Sequence, residues 1–99
     1  MFGKEMMEKL QAMKQETEAI KARLDNVTVS GEAENGKIKV EITGNRKVKS
    51  IFIDESLLQD KEALEELTTI AVNRAIEQAD HVNETEMRGA AMSMMPGFK

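Results

Sequence analysis

Apolar residues recur at alternating intervals of four and three near the start of the chain, which is the spacing of one stripe along a helix. The members of this seam are Met6, Leu10, Met13, Thr17, Ile20, Leu24 and Val27. The spacing is that of a coiled coil, in which a narrow stripe faces a partner helix. Two arrangements fit the pattern: pairing with the same helix of a second subunit, or packing against a second helix of the same chain.

Strict alternation of apolar and polar residues follows, on both sides of Asn35-Gly36. Asn-Gly between alternating segments is the strongest short signal for a β-hairpin, because both turn positions need a positive φ. Counting outward from the turn predicts the register. The predicted pairs are Ala33 with Ile38, Gly31 with Val40 and Val29 with Ile42 on one face, and Glu34 with Lys37, Glu32 with Lys39 and Thr28 with Thr43 on the other.

A second hairpin is predicted around Gly44-Asn45-Arg46, because a two-residue loop would mix apolar and polar faces. The predicted pairs are Ile42 with Val48, Val40 with Ser50, Ile38 with Phe52 and Glu41 with Lys49. This register places Ile51 and Ile53 on the same face as the lysines. An apolar half-face of that kind needs a cover, either a helix or another subunit.

A long second helix is predicted after Asp60, which suits an N-cap, with Leu57 and Leu58 tucked back before it. Its apolar stripe comprises Leu64, Leu67, Ile70, Ala71, Ala75, Ile76, Ala79 and Val82. The small alanines are expected to permit close approach of another helix. Residues 89–99 have no period, so we expect one domain over 1–88 and a mobile tail over 89–99. The fold class is therefore predicted as α+β, an α-β-β-β-α subunit with a three-stranded antiparallel meander.

The charge pattern leaves only local cationic patches, because the net charge is −4. Between residues 37 and 49, five basic residues accompany only Glu41. They could form a surface for an anion or an ordinary solvated sheet face. The predicted register gives Lys37, Lys39 and Lys49 a carboxylate across the strand pair, which favours the solvated face for most of the run. Arg46 and Lys47 are predicted to lack an acidic partner.

Catalytic chemistry has little support, because His81 is the only histidine and there is no cysteine. Hairpin geometry explains Gly31, Gly36 and Gly44, so they do not indicate a phosphate-binding loop between strand and helix. We therefore expect no enzyme activity, no small-molecule substrate, no cofactor and no metal. The longest apolar runs span only a few residues and the N-terminus lacks a signal core, so we expect a cytoplasmic protein with no membrane partner.

The order of these elements and several short motifs resemble the YbaB/EbfC family of bacterial nucleoid-associated proteins. The motifs are Gly31 with Asn35-Gly36, Ile53-Asp54 before Leu57-Leu58, Asp60-Lys61-Glu62, Leu64-Glu65-Glu66-Leu67, Ala71 with Asn73 and Ala75, and Met95-Pro96-Gly97-Phe98. The resemblance covers nearly the whole chain. It implies a homodimer with projecting helical arms that binds double-stranded DNA with little sequence preference and influences nucleoid organisation and gene expression.

Candidate residues follow from joining this resemblance to the residue pattern. Cations without a predicted acidic neighbour are the candidates for DNA contact: Lys9, Lys14, Lys21, Arg23, Arg46 and Lys47. Apolar residues that need a cover are the candidates for the dimer interface: Ile51, Ile53, Leu10, Met13, Ile20 and Leu24. A rival interpretation is a protein-interaction adaptor that uses its helical arms or Met-rich tail. DNA binding would depend steeply on salt, whereas binding in an apolar groove would not.

Overall fold

The computed structural model describes residues 3–93 and confirms the α+β class and the predicted order of elements. The elements are α1 (Lys4–Asp25), β1 (Thr28–Ala33), β2 (Ile38–Thr43), β3 (Val48–Ile53), a short 3-10 helix (Glu55–Leu57) and α2 (Lys61–Ser93). The strands form one antiparallel sheet in the order β1-β2-β3. The subunit is elongated, 64 × 23 × 22 Å, because the two helices are long.

The first hairpin has the predicted register, from Thr28 opposite Thr43 to Ala33 opposite Ile38. Its turn differs in one detail, because Glu34 joins Asn35 and Gly36 in the left-handed region, with φ values of 54°, 55° and 88°. The Lys37 N–H donates to the Glu34 carbonyl at 3.2 Å and closes the turn. The ladder therefore stops at Ala33, and Glu34 and Lys37 belong to the turn.

The second hairpin starts as predicted, with Ile42 opposite Val48, but the rest of its predicted register is wrong. A β-bulge between Glu41 and Ile42 leaves Lys49 as the extra residue on β3 and shifts every later pair by one. The observed pairs are Glu41 with Ser50, Val40 with Ile51, Lys39 with Phe52 and Ile38 with Ile53. Ile51 and Ile53 therefore share the face of Val40 and Ile38, and Phe52 lies on the face of Lys39 instead.

Helix α2 covers the apolar face of β1 and β2 with its small side chains. Ala71, Ala75 and Ala79 are fully buried against Ile38 and Val40. The small alanines therefore allow the sheet to pack close to α2, whereas the sequence suggested that they would allow another helix to do so. The N-cap is confirmed, since the Ala63 N–H donates to the Asp60 carboxylate at 3.1 Å. Three predicted apolar positions are instead exposed to solvent: Leu58, Ile70 and Ile76.

The apolar seam of α1 has two parts, which differ in burial. Ile20 and Leu24 are buried within the subunit, where the Leu24 carbonyl also accepts the Gly44 N–H at 3.0 Å. Leu10 and Met13 are more than half exposed. Of the two arrangements open from the sequence, packing within the subunit therefore holds for the C-terminal part of the seam. Val27, the last predicted member, lies beyond the end of α1 and is half-buried.

Helix α2 continues through Ser93, past the predicted domain boundary at residue 88. The remainder of the predicted tail, residues 94–99, lies outside the described residues. The long helix brings its C-terminal half alongside α1, so the chain has one region where both helices and the β2–β3 turn meet. That region contains several of the predicted site residues.

Candidate nucleic-acid interface

A cleft of about 510 Å³ lies where α1, α2 and the β2–β3 turn meet. Its lining residues are Thr17, Ile20, Lys21, Asp25, Asn45, Arg46, Lys47, Asn83 and Met87. Three of them are cations, Lys21 from α1 and Arg46 and Lys47 from the turn, against the single carboxylate of Asp25. Local structure therefore gathers positive charge here, although the whole chain is acidic.

Asn45 fixes the turn to the end of α1. Its side-chain amide donates to the Lys21 carbonyl at 2.8 Å and to the Asp25 carboxylate at 2.6 Å. The Thr43 hydroxyl accepts the Asn45 and Lys47 N–H groups at 3.1 and 3.2 Å. These bonds tie the two cations of the turn to the helix that carries the third.

Arg46 has an acidic partner, so the prediction that it lacks one is wrong. Its Nε donates to Asp80 Oδ1 on α2 at 2.7 Å, and its Nη2 completes an ion pair with the same oxygen. Both side chains remain nearly half exposed. Lys21 and Lys47 differ, because neither forms an ion pair within 4.0 Å among residues 3–93.

Arg23 also has an acidic partner, so the prediction that it lacks one is wrong as well. Its Nη2 and Nε donate to Glu86 Oε1 at 2.8 and 3.2 Å, and Glu16 lies 3.9 Å away. The hydrogen bond to Glu86, reinforced by the charge of that carboxylate, raises the pKa of Arg23 above its ordinary value. The pair joins α1 to α2, so Arg23 has a structural role whether or not it meets DNA.

Lys9 and Lys14 lie on the exposed N-terminal part of α1, where they make no ion pair with other described side chains. Lys14 borders a second, shallow groove of about 550 Å³ whose walls include Met7 and Leu10. The six predicted DNA contacts thus separate into three sets: Lys21, Arg46 and Lys47 at the cleft, Lys9 and Lys14 on the outer part of α1, and Arg23 at the contact between helices. Their contact with DNA stays a prediction.

The sheet lysines are not held by ion pairs in the way the sequence suggested. Glu32 lies opposite Lys39 as predicted, yet no ion pair within 4.0 Å joins the two. The bulge moves Lys49 away from Glu41, and Lys49 Nζ instead donates to the Thr28 hydroxyl at 2.8 Å. Glu41 accepts a hydrogen bond from Ser50 at 3.0 Å. Apart from Phe52, this face is polar and hydrogen-bonded, and its lysines form no ion pair within 4.0 Å among residues 3–93.

The predicted interface residues likewise fall into separate environments. Ile20 and Leu24 are buried by their own chain, and Ile53 is half-buried against the core. Ile51, Leu10 and Met13 expose between 47% and 57% of their surface. Of the six predicted interface residues, only these last three leave a large apolar surface exposed.

Two further features bound what the site can do. Within residues 3–93, no group of three or more His, Cys, Asp and Glu side chains is placed to hold a metal ion. Neither helix, over its described length, is long and apolar enough to cross a membrane. The cleft and the outer part of α1 form an exposed, locally cationic surface next to apolar patches.

Comparison with known proteins identifies the relatives of this chain. A profile of the YbaB/EbfC DNA-binding family matches residues 2–95. A nucleoid-associated protein of Flavobacterium johnsoniae is 46% identical over 93 residues, which cover 94% of this chain and 88% of that protein. A nucleoid-associated protein of Psychrobacter arcticus is 40% identical over 101 residues, covering 95% and 93%.

The fold has a counterpart among solved structures. The crystal structure of an uncharacterized protein from Helicobacter pylori superposes with a TM-score of 0.82 at 20% identity, covering 92% of this chain and 99% of the other. That likeness concerns the fold alone. The family is a DNA-binding family and not a family of enzymes. By the match of its profile over nearly the whole sequence, the chain belongs to the YbaB/EbfC DNA-binding family.

Proposed function

We propose that this protein binds double-stranded DNA at the bacterial nucleoid, as a homodimer that neutralises phosphates with little preference for sequence. Family membership supports DNA binding, and the names of the two relatives support a place in the nucleoid. The observation that carries the electrostatic part is that three of the predicted contacts, Lys9, Lys14 and Lys21, are exposed on α1 without acidic partners among residues 3–93. Through such binding the protein influences nucleoid organisation and gene expression.

The mechanism is release of counterions from the phosphate backbone. Each lysine or arginine that meets a phosphate displaces condensed cations, so affinity falls linearly with salt on logarithmic axes. Such contacts position the protein but carry no sequence information. The chain has no Trp or Tyr, which disfavours stacking on bases of single strands. Double-stranded DNA and a tolerance of sequence are therefore the expected preferences.

The homodimer is supported by the exposure of β3. This strand lies at one edge of the sheet, and five of its six residues are exposed. Val48 and Ile51 point from the apolar face beyond the part that α2 covers, and Phe52 is exposed on the opposite face. A bare edge with apolar residues on both faces is a site for pairing with another chain. We propose that a second copy covers it, with Leu10 and Met13 as further contacts.

A test of the proposal compares two variants that lose equal charge. Replacing Lys9, Lys14 and Lys21 by Gln removes three charges from α1, whereas replacing Lys37, Lys39 and Lys49 by Gln removes the same charge from the two hairpins. We expect only the α1 variant to weaken duplex binding strongly, with a salt slope shallower by about one for each lost phosphate contact. Equal weakening in both variants would show that total charge, and not the α1 surface, governs binding.

One observation favours a second candidate function, a protein-interaction adaptor. The shallow groove on α1 has Met7 and Leu10 in its walls, and both are more than half exposed. Exposed methionines suit the binding of varied apolar partners. Binding of that kind would survive added salt, so a partner retained at high salt through Met7 and Leu10 would favour the adaptor.

A further inference from the structure

We propose that the cleft between α1, α2 and the β2–β3 turn is a binding site for a single phosphate group, which displaces the Asp80 carboxylate from Arg46. The phosphate comes either from the DNA backbone or from a free phosphorylated small molecule. With DNA as its source, the proposal rests on the proposed function, since it assigns one phosphate contact of that same surface. The site itself is argued from the residues of the cleft.

The first argument is the convergence of charge. Lys21, Arg46 and Lys47 come from two elements and line one cleft, with Asp25 as the only carboxylate in its walls. One oxygen of this carboxylate, Asp25 Oδ1, already accepts a hydrogen bond from Asn45. Lys21 and Lys47 have no ion-pair partner among the residues that the structure describes. An anion in this cleft would meet two uncompensated ammonium groups.

The second argument is the partner that Arg46 already holds. Asp80 Oδ1 lies 2.7 Å from Nε, and both guanidinium contacts go to that one oxygen. A guanidinium fork donates to the oxygens of carboxylate and phosphate in the same geometry, and phosphate offers more oxygen atoms to neighbouring donors. Because the Arg46–Asp80 pair is nearly half exposed, it is a weak pair that a better placed anion can replace.

The third argument is the backbone of the turn. Arg46 has φ = 66°, in the left-handed region where glycine or asparagine costs least. The Arg46 N–H donates to the Thr43 carbonyl at 2.9 Å, and Asn45 anchors the turn to α1. The turn thus holds a long cationic side chain in an unfavourable backbone conformation at the mouth of the cleft. Residues held in such conformations concentrate at ligand sites.

The experiment follows the backbone amide NMR resonances of Asn45, Arg46 and Lys47 at low salt. The full chain is titrated separately with inorganic pyrophosphate and with a short DNA duplex. The cleft variant carries Lys21→Gln and Lys47→Gln, and the matched control carries Lys37→Gln and Lys39→Gln, which removes the same charge from the first hairpin. Duplex binding is measured in parallel by fluorescence anisotropy.

We expect saturable shifts of the turn resonances with duplex, lost in the cleft variant and kept in the control. Shifts with pyrophosphate but not with duplex would support the cleft and assign it to a free phosphorylated molecule. If neither ligand shifts these resonances while anisotropy still reports duplex binding, the cleft proposal is overturned and the proposed function stands. If the duplex does not bind at all, the proposed function fails. In that case shifts with pyrophosphate support the cleft proposal, and their absence overturns it.

Discussion

Gly31 on β1 lies directly against the backbone of α2 at Ala75. A Cβ atom at Gly31 would lie 2.3 Å from the Ala75 amide nitrogen and 2.2 Å from the Ala71 carbonyl oxygen. Neither atom belongs to a flexible side chain that could move aside. The absence of a side chain at Gly31 therefore sets the distance between the sheet and the helix, and Ala75 keeps the helix side of the contact equally small.

Gly31→Ala is expected to lower the free energy of unfolding by about 3 kcal/mol, because one added methyl group forces the helix away from the sheet. Urea denaturation followed by far-UV circular dichroism, at one fixed protein concentration, measures the change. Gly89→Ala is the matched control, since a Cβ there meets nothing within 4 Å and glycine is a poor helix former. The control should gain up to about 1 kcal/mol; equal stability of Gly31→Ala and the wild type would refute the close contact.

The sequence predicts the strand register of the first hairpin and only the start of the second, for a physical reason. Around Asn35-Gly36 the turn chemistry and the alternation of faces agree, so counting gives the register. Beyond Ile42 and Val48 the same counting fails, because a bulge inserts Lys49 into β3. The bulge coincides with two consecutive polar residues, Lys49 and Ser50, which interrupt the alternation between Val48 and Ile51. Counting outward from the turn ignores this interruption and therefore assigns Ser50 and Phe52 to the wrong face.

Asp80→Asn is expected to strengthen duplex binding about threefold, because it frees Arg46 from an exposed ion pair worth up to about 1 kcal/mol. The salt dependence should become steeper at the same time, since a freed guanidinium can meet a phosphate. Fluorescence anisotropy over a salt series measures both. Glu84→Gln removes one negative charge from a neighbouring exposed position without an ion pair within 4.0 Å among residues 3–93. If this control strengthens binding equally, the effect is one of net charge and not of Arg46.

Ile51→Glu is expected to shift the protein from dimer to monomer, because a charge on the exposed apolar edge of β3 would be buried without a partner. Light scattering coupled to size-exclusion chromatography measures the mass. Leu10→Glu places the same charge on the exposed seam of α1 and serves as the comparison. If Leu10→Glu gives a monomer and Ile51→Glu does not, the principal dimer interface lies on the helical arm and not on the sheet.

Asp54→Asn is expected to destabilise the protein at neutral pH but not in acid. Hydrogen bonds from the Ser56 hydroxyl and N–H, together with the charge of Lys37, lower the pKa of Asp54. A carboxyl whose pKa is lower in the folded state contributes stability above its unfolded pKa, and loses it as the pH falls through the folded value. Urea midpoints of the two proteins should differ at neutral pH and converge as the pH falls through the lowered pKa of Asp54. A pH-independent difference would assign the effect to side-chain geometry alone.

The candidate site was less accessible to sequence reasoning than the fold. The cations themselves could be named, since unmatched basic residues stand out against local neighbours. Their true partners could not, because Asp80 lies 34 residues from Arg46 and Glu86 lies 63 residues from Arg23. No local pattern relates such pairs. They appear only once α2 packs beside the turn and beside α1, whereas Lys21 and Lys47 are brought together because Asn45 holds the turn to the end of α1.

The most direct test of the central claim is fluorescence anisotropy of a labelled random-sequence duplex, titrated with the protein at several salt concentrations alongside a light-scattering mass. We expect a protein of dimer mass whose affinity falls linearly with salt on logarithmic axes, with a slope that reports several phosphate contacts. A correctly folded protein that fails to bind the duplex even at low salt, or whose binding is indifferent to salt, would contradict the account.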